Sequence, residues 1–371
     1  MTRRTSRRRS RGASTSVGAT VIILLLAGLV FLFNRVTGSD PAATPTSPAE
    51  TVLSDDWYHL YFTAPKNPDT PADHHSGIDE LVVESVNAAR QTIDLAGYEI
   101  NLASVADALA AAHGRGVRVR VVTDSDNLEE EAITVIERAG IPFVGDRREA
   151  LMHDKFMVVD GATVWTGSMN FTVNDVYRNN NNFIQIQSTR IALNYTQEFE
   201  EMFSEDRFGP SSPADTPAPS ATINGTPLEV MFSPEDNPAR RIIELIRQAR
   251  TSIYFMAFSF TSDEIADAML ERAAAGVKLQ GLFEESQYNS NQGTEYDRLR
   301  QSPNVEVRLD GNRYNLHHKV IVIDGTIVIT GSYNFSRAAE ESNDENVLIL
   351  HNAEIAAQYL VEFVKLFEMG R

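Results

Sequence analysis

Eight residues, HDKFMVVD at His153 to Asp160, return 164 positions later as HHKVIVID at His317 to Asp324. The same offset carries GSMNF, from Gly167, onto GSYNF, from Gly331. Earlier blocks match at an offset of 160: AARQTIDLAGYEI from Ala88 parallels QARTSIYFMAFSF from Gln248, and ADALAAAHGRGVRVRVV from Ala106 parallels ADAMLERAAAGVKLQGL from Ala266. The four extra residues of the second copy fall around Tyr288 to Gly293 (YNSNQG). A period this long exceeds any solenoid repeat, so the chain is a duplicated domain. Its 371 residues and 42% hydrophobic content suffice for two such halves.

Within each half, helix-period and strand-period segments alternate. Ile78 to Arg90 reads as an amphipathic helix and TIDLAGY as a buried strand; ASVADALAAAHGRG is a helix ending at Gly114 or Gly116, followed by the strand VRVRVVTD. ITVIERAG is a helix stopped by Gly140. Asp160-Gly161 and Asp324-Gly325 are hairpin turns, and a C-terminal helix closes each half. The expected architecture is α/β, two tandem α-β-α halves with mixed sheets. The halves span 56–208 and 228–371, joined by a Pro- and Ser-rich surface linker at 209–227.

The N-terminus carries a membrane signal. Six arginines lie within residues 1–12, and 13–34 is an uncharged, largely apolar run long enough to span a bilayer. The positive-inside rule keeps the tail cytoplasmic and the bulk of the chain extracytoplasmic, as a single-pass cell-membrane protein. The alternative is a cleaved signal peptide and secretion. Residues 35–55 read as a spacer. Cysteine is absent, which excludes disulfides and thiolate chemistry. Residues 1–39 hold seven Arg and no acid, so the remainder has 26 basic and 51 acidic residues, a net charge of −25. Such a surface disfavours tracking along nucleic acid or adsorbing broadly to anionic lipid, so an anionic substrate requires a local positive pocket.

Two His-Lys pairs supply one. On a strand, His153 and Lys155 share a face, as do His317 and Lys319. Two imidazoles can divide nucleophilic attack on phosphorus and protonation of the leaving oxygen, while two ammonium groups hold the anionic oxygens. His318, between the members of its pair, faces away and reads as structural. Ser259 and Phe260 end a strand near the site and are candidate substrate contacts. His74-His75 reads as incidental, and Asn224-Gly225-Thr226 has the form of a glycosylation sequon.

The boxes and their GSxN sequels resemble the phospholipase D superfamily, whose signature is HxKxxxxD followed by GSxN; the resemblance covers roughly residues 56–371. It implies that both boxes meet at a pseudo-two-fold axis in one active site, so that a monomer suffices. It implies His153 and His317 as nucleophile and general acid, Lys155 and Lys319 as phosphoryl ligands, and Ser168, Asn170, Ser332 and Asn334 as donors lining the phosphate pocket. Asp160 and Asp324 complete the boxes as supports of their geometry. No metal and no cofactor is implied. Members of the family often place an acid after the box, hydrogen-bonded to the catalytic histidine. The second half has Glu345 there and the first has Asn181, with Asp175 nearby as a substitute acid. If Glu345 partners His317, that imidazole rests protonated as the acid and His153 attacks. The expected activity is hydrolysis of phospholipid phosphodiesters through a phosphohistidine. The alternatives are an endonuclease acting on DNA or RNA and a phosphatidyltransferase resembling cardiolipin synthases.

Overall fold

The computed structural model describes residues 56–371. The expected membrane segment at 13–34, with its tail and spacer, lies outside them, and among the described residues no helix is long and apolar enough to cross a membrane.

Two mixed sheets carry the duplication. The first contains β1 (Tyr58–Phe62), β2 (Thr92–Gly97), β3 (Arg118–Thr123), β4 (Phe143–Gly145), β5 (Lys155–Val159), β6 (Thr163–Gly167) and β7 (Asn182–Gln187). Their order is β1-β7-β6-β5-β2-β3-β4, parallel from β2 to β4 and antiparallel elsewhere. The second contains β8 (Ser220–Ile223), β9 (Thr226–Ser233), β10 (Ser252–Ala257), β11 (Lys278–Phe283), β12 (Val305–Leu309), β13 (Lys319–Ile323), β14 (Ile327–Gly331) and β15 (Glu345–His351). Its order, β12-β11-β10-β13-β14-β15-β9-β8, repeats the first and adds β8 at the edge.

The helices sort by face. In the first half α1 (Ile78–Ala88), α2 (Ala103–Gly114) and α3 (Glu131–Arg138) cover the outer face, the short α4 (Val173–Tyr177) follows the GSMNF turn, and α5 (Thr189–Glu205) covers the inner face. In the second half α6 (Pro238–Gln248) and α7 (Asp263–Ala274) lie outside. The short α8 (Glu285–Ser290), α9 (Tyr296–Arg300) and α10 (Arg337–Glu341) precede the inner α11 (Ala353–Met369). Strand alternation sets the burial: Phe156 and Val158 join the inner cluster while Met157 and Val159 join the outer one, and Val320 and Val322 oppose Ile321 and Ile323 in the same way. The inner cluster runs through both halves, with Tyr195 and Phe199 of α5 and Tyr359 and Phe363 of α11 between the sheets. One continuous apolar layer thus fixes the two box strands relative to each other.

Each box ends in a tight hairpin turn, closed by Ala162 N donating to Val159 O in the first half and Thr326 N to Ile323 O in the second. Asp160 and Gly161 have φ of 54° and 60°, and Asp324 and Gly325 have 51° and 63°. Positive φ at both central positions is the turn whose twist matches the flanking strands, and it is why Asp-Gly occupies both sites. The expected surface linker is more ordered than its composition implies. β8 within it pairs with β9 through an Asn224-Gly225 turn, and the Asn194 side chain both donates to Ala218 O and accepts from Ala218 N, at 2.8 Å each. The extra residues around Tyr288 to Gly293 form α8 and the turn after it, where the first half has a single 3₁₀ turn at Ser125–Asn127.

Candidate active site

Each box begins just before its central strand, in a segment that pairs with the other half. Met152 bridges Asp344, and Leu316 bridges Asn180. These are the same pair of positions with the halves exchanged, which is a two-fold relation. The histidine backbones repeat it: His153 N donates to Asp344 O and His317 N to Asn180 O, both at 2.9 Å. Each histidine therefore stands against the residues just ahead of the other half's last strand, β15 for His153 and β7 for His317.

That exchange decides the partners. His153 Nδ1 lies 2.7 Å from Glu345 Oε2, and His317 Nδ1 lies 2.9 Å from Asn181 Oδ1. The expectation that Glu345 serves His317 is corrected: the acid of the second half orients the histidine of the first. The reason is topological, since β15 and β7 each start at the interface, opposite the partner's box rather than their own. Asp175 stands off at 3.6 Å from His317 Nδ1.

Ser168 and Ser332 are not free phosphate donors, as had been expected. The Ser332 hydroxyl donates to Glu345 Oε2 at 2.7 Å and accepts from Asn346 N; the Ser168 hydroxyl donates to Asn181 Oδ1 at 2.8 Å and accepts from Asn182 N. Both serines are fully buried and steer the groups that hold the imidazoles. The network also fixes tautomers. Asn181 Nδ2 donates to Asp175 O, so its Oδ1 faces His317, whose Nδ1 must carry a proton. Nε2 is then left as the reactive nitrogen. Asn170 and Asn334 differ from the serines: each keeps a buried carboxamide oxygen with no hydrogen-bond partner.

The lysines are buried between the halves. Lys155 Nζ donates to His153 O at 2.7 Å and Lys319 Nζ to His317 O at 2.8 Å. Burial lowers the Lys155 ammonium to about 8 against the pull of Glu345 and Asp175, and it holds Lys319 well below its usual value. Burial also pushes the Glu345 carboxyl up to about 8, while Lys155, Ser332 and Asn343 draw it down. Both histidines are held well below the ordinary imidazole value by burial; His153 is lowered further by Lys155 and Lys319, whereas Asp175 raises His317. The mutual influence of both lysines on both histidines puts the four groups in one pocket.

Two aromatic residues complete the surround. Tyr98 meets the His153 ring edge-on at 5.1 Å with Lys155 Nζ 5.3 Å from its centroid; Phe258 does the same for His317 at 4.6 Å and Lys319 at 4.7 Å. Their offset of 160 is legible in the sequence, which offers Ser259 and Phe260 as candidate contacts instead. Phe260 is buried in the outer cluster against Phe255 and Phe283, and Ser259 Oγ accepts from Asn291. His318 is fully buried with Nδ1 at 3.0 Å from Asn182 Nδ2. His74 is tied to Asp69 at 2.9 Å and stacks on Tyr177.

Asp160 and Asp324 lie at the far ends of their strands from the histidines. Asp160 accepts from the backbone N–H groups of Arg90, Gln91 and Thr92, and Asp324 from those of Arg250, Thr251 and Ser252. They clamp the loop before the neighbouring strand and make no contact with the histidines or lysines.

The chain matches the family described as "Cardiolipin synthase, PLD-like domain" twice, at residues 82–203 and 242–367. It is 31% identical to a Rickettsia felis phospholipase D over 192 residues, covering 49% of this chain and 94% of that one. It is 28% identical to the mitochondrial cardiolipin hydrolase of Chlamydomonas reinhardtii over 177 residues, covering 41% of this chain and 78% of that one. Among solved structures, phosphatidylserine synthase of Haemophilus influenzae superposes with a TM-score of 0.62 over 84% of this chain and 86% of its own, at 12% identity, a likeness of fold alone.

Proposed function

Since the chain belongs to the phospholipase D superfamily, we propose that it is a phosphodiesterase that hydrolyses phospholipid headgroup esters through a phosphohistidine. The observation that carries this reading is the pair of buried imidazoles, each held at Nδ1 by an acceptor from the other half and each beside a buried lysine.

His153 attacks phosphorus through Nε2. The new P–N bond leaves an imidazolium whose Nδ1–H points at the Glu345 carboxylate, which stabilises that charge as it forms. The P–O bond to the headgroup breaks, and His317 Nε2 gives its proton to the departing oxygen. Lys155 and Lys319 hold the non-bridging oxygens. Water then attacks phosphorus, giving its proton to His317 as the P–N bond breaks. The roles remain those expected from the sequence, but for the opposite reason: the carboxylate supports the nucleophile rather than the acid. Two ammonium groups provide the charge that a metal would otherwise supply.

Lipid is favoured over nucleic acid by the net charge of −25 outside residues 1–39 and by relatives named for lipid hydrolysis. The Arg-rich tail and apolar run support anchorage with the catalytic halves outside the cell. The test incubates residues 56–371, in EDTA, with phosphatidylcholine or cardiolipin vesicles and separately with single-stranded and duplex DNA. The His153→Asn/His317→Asn variant is the control. Headgroup release that the control lacks supports the proposal. DNA cleavage with intact lipid overturns it in favour of a nuclease, and transfer to added alcohol without hydrolysis overturns it in favour of a transferase.

A further inference from the structure

The two halves of the site are not equivalent in charge. Where the second half offers Glu345 to His153, the first offers Asn181 to His317, and an amide oxygen cannot neutralise an imidazolium. The first half has instead an acid with no counterpart: Asp175, whose equivalent 164 positions on is Ala339. Asp175 lies in α4, 2% exposed. Its Oδ2 accepts from Asn170 N at 2.6 Å and faces His317 Nδ1 at 3.6 Å; its Oδ1 accepts from Asn179 Nδ2 at 2.5 Å. Asn181 ties the two together, donating to Asp175 O through Nδ2 and accepting from His317 through Oδ1.

We propose that Asp175 is the charge partner of His317: a positioning residue, set in α4 six residues ahead of the place that Glu345 holds in the other half, that keeps this imidazole able to protonate the leaving oxygen. The inference rests on the phosphodiesterase reading for its chemical consequence, but its electrostatic content stands apart. The groups that bear on His317 are Asp175 from α4, Lys319 from its own strand, and Lys155 and His153 from the other half; Asp175 alone among them favours the charged ring. Hydrogen bonds and nearby cations keep the Asp175 carboxyl ionised despite its burial. The greater distance, 3.6 Å against the 2.7 Å between Glu345 and His153, makes Asp175 a looser partner than a directly bonded carboxylate. That suits a group that must give its proton up in one step and take one back in the next.

The test compares the protein with Asp175→Asn and with Asp175→Asn/Asn181→Glu, which rebuilds the arrangement of the other half. The first readout is the titration of His317 by NMR of ring-labelled histidine, assigned with His317→Asn. A fall of about one pKa unit or more in Asp175→Asn, recovered in the double variant, is expected; an unchanged titration overturns the inference whatever the activity. The second readout is single-turnover formation of the phosphoenzyme on two esters, one with an alkyl leaving group and one releasing nitrophenolate, which needs no proton to depart. Asp175→Asn should slow the alkyl ester about 10²-fold or more and the aryl ester less than about 10-fold, and move the alkaline fall of the rate to lower pH. Equal losses on both esters, or failure of the double variant to recover, would make Asp175 merely structural. Normal titration behaviour without cleavage of either ester would fault the enzymatic reading and leave the charge pairing standing.

Discussion

Glu345 of the second half holds His153 of the first, with Oε2 2.7 Å from Nδ1 and the Ser332 hydroxyl on the same oxygen. The carboxylate sets the tautomer and receives the charge that develops when Nε2 becomes bonded to phosphorus. Glu345→Gln keeps the shape but can turn a donor toward Nδ1. It is expected to lower kcat by about 10²–10⁴-fold, with little change in KM, measured on vesicles by headgroup release. A loss confined to KM would remove Glu345 from the chemical step.

The box aspartates have a different task. Each accepts three backbone N–H bonds from the loop ahead of the adjoining strand while sitting at positive φ in a hairpin turn. Asp160→Ala or Asp324→Ala should cost about 2–4 kcal/mol of stability, read from the urea midpoint, with kcat per folded molecule close to that of the parent. A large fall in kcat at unchanged stability would give these carboxylates a part in the reaction that their placement denies.

The motif glycines are demanded by backbone contact. Gly331 has φ of 140°, and a Cβ there would collide with the carbonyl oxygen of Asn346, next to Glu345; Gly167 stands in the same relation to Asn182. Gly331→Ala must push β15 away and take Glu345 with it. The expected cost is about 3 kcal/mol or more, together with loss of phosphoenzyme formation. A variant with native melting and full activity would show that the strand can yield.

How much of this was readable in the chain follows from the range of each interaction. The duplication, the Asp-Gly turns, the strand faces and the His-Lys pairs are local patterns, and local geometry writes them directly into the sequence. The partners of the histidines are not local. Glu345 follows His317 by 28 positions but touches His153, 192 positions away, because the pairing depends on how two sheets meet. The serines follow the same rule: a hydroxyl in a duplicated turn reads as a donor to ligand, while its partners, Glu345 and Asn181, are set by the fold. Asp175 was visible as an acid, but its relation to His317 needed the turn of α4 to bring it within 3.6 Å.

Burial of acids gives the last expectation. Asp154, whose two carboxylate oxygens are buried without partners, and Glu198 have pKa values held well above the usual range, chiefly by burial. A carboxyl raised in the fold keeps a proton that the unfolded chain has lost, so its stabilising contribution is complete below the unfolded value near 4 and disappears as pH rises through the folded value. The buried histidines, lowered below 6.5, act in the opposite sense but only below that pH. Lys155, lowered to about 8, begins to favour the fold only above that pH. Between pH 6.5 and 8 Asp154 and Glu198 keep their protons while Lys319, held well below its usual value by burial, opposes them, so the acids prevail by one group and stability should fall as pH rises. One such group protonated throughout contributes about 1.4 kcal/mol per pH unit, so a loss of about 2 kcal/mol is expected over this interval, followed by recovery at higher pH. Urea denaturation at pH 6.5 and 8 measures it. Asp154→Asn should reduce the slope; a stability that rises across the interval, or a slope that Asp154→Asn leaves intact, would mean that the interior acids are ionised and paired in a way this arrangement does not provide.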